Sequence, residues 1–144
     1  MSLKLATKQK IIKIVIIEDN KLRRLSLKSA LNEYEDMSVI GDTEDTLTGQ
    51  MMIECIEPDI VLIDLGLSDE NGIEAISKIR ERNKSVKIIA LTSHSNNEEV
   101  LSALINGANA YCVKNIDLDE FVNVIRDITE NTQTIIKTLE DIVV

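Results

Sequence analysis

Short apolar runs, each followed by an amphipathic stretch, alternate along this chain and leave few folds open to it. The runs are Ile11–Ile17, Met37–Gly41, Ile60–Asp64, Val86–Leu91 and Ala110–Val113, rich in β-branched residues and of strand length. Helical patterns lie between them at Asn20–Glu33, Asp45–Glu57, Gly72–Arg82 and Asn96–Asn106, and a last one begins at Asp117. Strand followed by helix, repeated in this way, implies parallel strands joined by right-handed crossovers, with helices on both faces of the sheet. The expected fold is therefore α/β, a doubly wound five-stranded parallel sheet. Helix signals agree. Ser95 and Glu98 form an S-x-x-E capping box, Asp117 and Glu120 offer a similar one, and Gly107 stands where a C′ residue belongs.

Size and charge narrow the function classes. A chain of 144 residues can bury roughly two-thirds of its unfolded surface as one domain. A net charge of −9 argues against a nucleic-acid surface, which needs a basic patch, but leaves room for a DNA-binding domain elsewhere in the protein. Cys55 and Cys112 lack metal-ligand or disulfide spacing, and both read as small buried hydrophobes in a reducing compartment. The first apolar run is broken by Lys13 and ends at Glu18, too short for a signal peptide or a membrane span. A cytoplasmic location is expected.

Three segments result: a flexible lead-in at 1–10, a globular domain at 11–130 and a helical extension or linker at 131–144. The extension is argued from spacing. Phe121, Ile125, Ile128, Thr132, Ile135, Leu139 and Ile142 alternate by four and three, an a/d stripe with one polar a position. Phe121–Ile128 should pack on the sheet, while Ile135–Val143 outruns it and would serve as a dimerising or linker coil.

Acids mark the ends of two strands. Glu18-Asp19 closes the first run and Asp64 the third, and in a sheet of order 2-1-3-4-5 these tips are neighbours, at the edge where such folds place their sites. Strand four ends at Thr92 and strand five near Lys114, on the same edge. Carboxylates brought this close should each have a raised pKa unless a cation compensates. An oxygen-seeking ion such as Mg2+ fits the set, and an ionised Asp64 beside it can attack phosphorus.

Here the chain resembles the receiver domains of bacterial two-component response regulators. The resemblance rests on Glu18-Asp19, on Asp64-Leu65-Gly66-Leu67-Ser68-Asp69-Glu70-Asn71-Gly72, on Leu91-Thr92-Ser93-His94, and on Gly107-Ala108-Asn109-Ala110-Tyr111-Cys112-Val113-Lys114, in that order. It implies a flavodoxin-like receiver fold in which Asp64 accepts a phosphoryl group from a sensor histidine kinase. Asp19, Asp64 and the Gly66 carbonyl would ligate Mg2+, with Glu18 acting through water. Thr92 and Lys114 would bind the phosphoryl oxygens, and Tyr111 would change rotamer on activation. Leu-Gly-Leu after Asp64 and the Thr-Ser-His motif are similar to the nitrate-regulator branch, whose members usually carry a C-terminal DNA-binding domain. Two positions depart from the family: Ser68 and Asn115 stand where proline is common.

Plainer readings exist for each residue alone. A strand-end Asp commonly caps the next turn, Glu18 could be a solvated acid before a helix, and Tyr111 could be a core aromatic. His94, the single histidine, is expected near the mouth of the site rather than as a phosphoryl donor. Among competing functions, a phosphorylation-independent interaction module shares the fold. One Phe, two Tyr and no Trp leave little to stack a flavin, and no GxxxxGK loop is present. The expected protein is a signalling switch, not a turnover enzyme, with a possible homodimer through the last helix and the fifth-strand face.

Overall fold

The structure is a computed structural model that describes residues 10–68, 71–93 and 96–130. Five parallel strands run in the order β2-β1-β3-β4-β5. In chain order the elements are β1 (Ile12–Ile17), α1 (Lys21–Asn32), β2 (Met37–Thr43), α2 (Thr46–Ile56), β3 (Ile60–Asp64), α3 (Gly72–Arg82), β4 (Lys87–Thr92), α4 (Asn97–Ile105), β5 (Ala110–Val113) and α5 (Leu118–Glu130).

Period-two alternation divides the core into two layers. Ile14, Ile16, Leu62, Ile89 and Cys112 face α1 and α5, where Leu31, Phe121, Ile125 and Ile128 cover them. Val15, Ile17, Val61, Ile63, Ile88 and Tyr111 face the other way, under Ile53 of α2, Ala75, Ile76 and Ile79 of α3, and Val100 and Ala103 of α4. The expected stripe on α5 holds as far as Ile128, with Phe121, Ile125 and Ile128 all buried. The later stripe positions, the extension at 131–144 and His94 lie outside the described residues, as does the lead-in except Lys10.

Several expectations need correction. β2 continues past Gly41 to Thr43, because Asp42 and Thr43 still pair with Ile16 and Ile17 after a register shift at Ile14/Val15. Polar side chains suit an edge strand, which keeps one side open to water. β4 begins at Lys87 rather than Val86, and Thr92, the strand end expected at the site, pairs with Val113. The cap of α4 is Asn96, not Ser95: the Asn96 side chain accepts from the Glu99 backbone N–H at 2.8 Å. Cys55 is exposed on α2, and only Cys112 is buried.

Gly107 does close α4. The Ala108 N–H donates to the Ala103 carbonyl and the Gly107 N–H to that of Leu104, with Gly107 at φ +122°, a left-handed conformation that suits glycine. Arg80 of α3 grips this turn, donating to the carbonyls of Gly107, Asn83 and Val86 and to the Asn109 side chain.

Candidate functional site

Register brings the acids together. Ile17 pairs with Ile63, so Glu18 and Asp64 occupy adjacent strand ends, and one carboxylate oxygen each from Glu18, Asp19 and Asp64 lies within 4.8 Å of the others. Glu18 and Asp64 are both 2% exposed, while Asp19, on the loop, is half-buried. A buried carboxylate is costly without a partner. Lys114 supplies one: its Nζ lies 2.8 Å from Asp64 Oδ1 and 3.5 Å from Glu18 Oε1. Backbone pairing aims it, since the Lys114 N–H donates to the Thr92 carbonyl at 2.7 Å.

Each acid is held differently. Asp64 Oδ1 also accepts the Gly66 N–H at 2.8 Å, an Asx turn at the head of the loop. Glu18 Oε2 accepts the Asn20 N–H at 3.1 Å, and Arg23 Nη1 lies 3.4 Å from Oε1. Asp19 Oδ2 accepts the Ser68 N–H at 3.0 Å. Their acidities separate accordingly. Burial, and then contact with the Asp64 carboxyl, push Glu18 up, against the pull of the Asn20 N–H and the Lys114 charge. Burial also pushes on Asp19, but Ser68, through side chain and backbone together, outweighs it and holds Asp19 below its ordinary value. The expectation of raised values where no cation compensates holds at Glu18 and not at Asp19, which has its own donors.

The remaining sequence-derived residues fall at the same edge. Thr92 ends β4 one position beyond Leu91, the partner of Asp64, and is 3% exposed. Gly66 leaves space beside Asp64: a Cβ there would meet only Asp64 Oδ1, at 3.5 Å. Tyr111 is fully buried and donates its hydroxyl to Glu99 Oε1 at 2.6 Å. Burial first, then Glu99, raises its pKa well above the ordinary tyrosine value, with Thr92 pulling the other way.

Sequence reasoning missed three contributors: Glu99, Arg23 and the Ser68 amide. Glu99 lies in the first turn of α4, and only the fold brings it to Tyr111. Arg23 sits five residues after Glu18, a spacing that a loop-to-helix junction leaves undetermined. Ser68 stood out as a missing proline, and the N–H it keeps is what proline would have lacked.

Three clustered acids answered by one lysine thus stand at the carboxyl edge of a 2-1-3-4-5 sheet, the arrangement expected from the resemblance to receiver domains. The chain belongs to the response regulator receiver domain family, whose model matches residues 14–126. It is 28% identical over 109 residues to the nitrate/nitrite response regulator protein NarL of Escherichia coli, covering 76% of this chain and 50% of NarL. It is 37% identical over 111 residues to the transcriptional regulatory protein YhcZ of Bacillus subtilis, covering 77% of this chain and 52% of that protein. Among solved structures, a two-component response regulator of the LuxR family from Aurantimonas sp. superposes with a TM-score of 0.82 at 26% identity, over 87% of this chain and 89% of that one.

The chain spans about half the length of these curated relatives. It is a receiver domain of the two-component type, and receiver domains are signalling switches rather than turnover enzymes. The phosphorylation-independent alternative is not favoured by these matches. No helix among the described residues is long and apolar enough to cross a membrane.

Proposed function

We propose that Asp64 is the phosphoryl acceptor of a two-component relay, charged by the phosphohistidine of a sensor kinase. The observation that carries this reading is the 2.8 Å ion pair from Lys114 to Asp64 inside a cluster of three acids. An Asp64 carboxylate oxygen forms the new P–O bond while the donor's P–N bond breaks, its electron pair leaving with the imidazole. Lys114 stands beside the acceptor oxygen, ready to move onto the charge gathering on the transferred group. Thr92 offers a hydroxyl from the neighbouring strand.

Oxygen donors at this spacing suit a hard divalent cation, with Asp19, Asp64 and the Gly66 carbonyl as ligands and Glu18 behind a water. When bound, Mg2+ would neutralise charge on the phosphoryl oxygens. The acceptor then carries about −1.5 to −2 added charge in an acidic site. Thr92 turning toward the phosphoryl group, with Tyr111 following, would pass that change to α4, β5 and α5. Full inversion of the population would take about 5.5 kcal/mol of differential stabilisation. A homodimer through α5 and the β5 face, and a DNA-binding domain, belong to this reading of the whole protein; one relative is named a DNA-binding transcriptional activator.

Intact mass after incubation with Mg2+ and a small phosphodonor tests it. One added phosphoryl that requires Mg2+ and is lost in Asp64→Asn supports the reading. An adduct surviving in Asp64→Asn, or none in the wild type despite Mg2+ binding, counts against it.

A further inference from the structure

Of the three clustered acids, Asp19 has the least packing around it. Glu18 and Asp64 are buried, whereas Asp19 sits half-exposed on the loop after β1. What orients it comes from 49 residues away, the Ser68 N–H on the loop after β3, 3.0 Å from Oδ2. Ser68 brings a second hydrogen-bonding group, its hydroxyl, to the same loop position. Both donors depend on the residue type. Proline has no N–H and no hydroxyl, and alanine keeps only the N–H.

We propose that Ser68 is a positioning residue for cation binding: it holds the Asp19 carboxylate in place, so that the metal-binding acids are arranged before a cation arrives. This inference rests on the metal role given to Asp19 above. An aspartate that lends a cation one oxygen can keep the other on a neutral donor, and the ordering cost of fixing the side chain is then met in advance. Hydrogen bonds to metal-ligating carboxylates are commonly worth tenfold to a hundredfold in metal affinity. A loop residue whose backbone N–H reaches Asp19 ties the β1 and β3 loops together across the site, a link that proline at 68 could not form.

The test is a Mg2+ titration of 15N-labelled protein followed by backbone amide shifts, on the wild type and on Ser68→Thr, Ser68→Ala and Ser68→Pro. Ser68→Thr should match the wild type, Ser68→Pro should bind roughly tenfold more weakly, and Ser68→Ala should fall between. Proline also constrains Leu67, which is buried, so the Thr/Ala pair decides the matter if Ser68→Pro loses its dispersed spectrum. Equal Mg2+ affinity across the series, or tighter binding in Ser68→Ala, overturns the positioning role while leaving the metal site intact. A wild type whose amides ignore Mg2+ overturns the metal reading, and the inference with it.

Discussion

Helices α4 and α5 both lie against β5, the strand at the sheet's edge, and they are held in opposite ways. α5 is fastened along its length. Phe121, Val122, Val124, Ile125 and Ile128 are all buried, and Arg126 forks onto both Asp36 oxygens at 2.8 and 3.1 Å while lying over the Tyr34 ring. α4 buries only Val100 and Ala103, and it exposes Leu101 and Ile105. Its ends are held by polar contacts instead: Glu99 on Tyr111 at the start, and Arg80 on the Gly107 turn at the finish. Packing spread over many atoms resists displacement in every direction. A few discrete hydrogen bonds can be exchanged one at a time. The helix nearer to Thr92 is thus the one whose attachment can be altered without melting the core.

The contrast can be broken by mutation, and the largest effect is expected on α5. Ile125→Ala should cost about 2–5 kcal/mol of global stability by denaturant unfolding, because a fully buried side chain leaves a cavity. A cost under 1 kcal/mol would mean that α5 is no better anchored than α4. Arg80→Met comes next. It strips donors from the Gly107, Asn83 and Val86 carbonyls, so a loss of about 1–3 kcal/mol is expected, with hydrogen exchange rising first at the α4–β5 turn. Uniform acceleration over the whole sheet would show that the grip is global rather than local.

Acid and alkali should act on different helices. Arg126 hydrogen bonds, outweighing burial, hold the Asp36 carboxyl below its ordinary value. The stability it contributes is therefore complete above about pH 4 and is lost as pH falls through the folded value. The melting temperatures of wild type and Asp36→Asn should converge below that range; a gap that persists in strong acid contradicts the assignment. Tyr111 behaves in the reverse sense. Burial, then Glu99, raises its pKa, so its contribution is complete below about pH 10 and is lost as pH rises through the folded value.

The smallest effect on stability belongs to Glu99→Gln, which keeps an acceptor for the Tyr111 hydroxyl and should shift unfolding by about 0.5 kcal/mol or less. Glu99→Ala should instead release the Tyr111 ring, seen as altered ring resonances. An unchanged Tyr111 environment in Glu99→Ala would mean that packing alone keeps the ring buried.

How much of this the sequence disclosed depended on where the information lay. β3, β5 and α3 were legible to the residue: β5 lies between Asn109 and Lys114, β3 follows Asp59 and ends on its own acid, and α3 runs between Asn71 and Asn83. The end of β2 was not: Asp42 and Thr43 are polar, and their strand character comes from a ladder partner rather than from their own side chains. The α4 cap was misplaced by one residue in a run of adjacent candidates, Ser95, Asn96 and Asn97. Asp19, Asp64, Thr92 and Lys114 could be gathered at one edge because strand order alone collects strand ends. The hydrogen bonds from Ser68 to Asp19 and from Tyr111 to Glu99 could not be foreseen, because they span loops whose course local spacing does not determine.

Gly72 adds a last consequence. A Cβ at this position would meet the Leu65 Cα at 2.5 Å and the Asp64 carbonyl oxygen at 2.9 Å, so the start of α3 abuts the acceptor's own backbone. The acceptor loop consequently has a rigid wall on one flank, built from main chain and without slack to absorb a shift. Crowding created by a group added at Asp64 has little room to dissipate toward α3. It is left to the neighbouring strand end, where Thr92 follows Leu91, the ladder partner of Asp64, and leads on to the lightly fastened α4, so an absent side chain gives the domain a preferred direction of recoil.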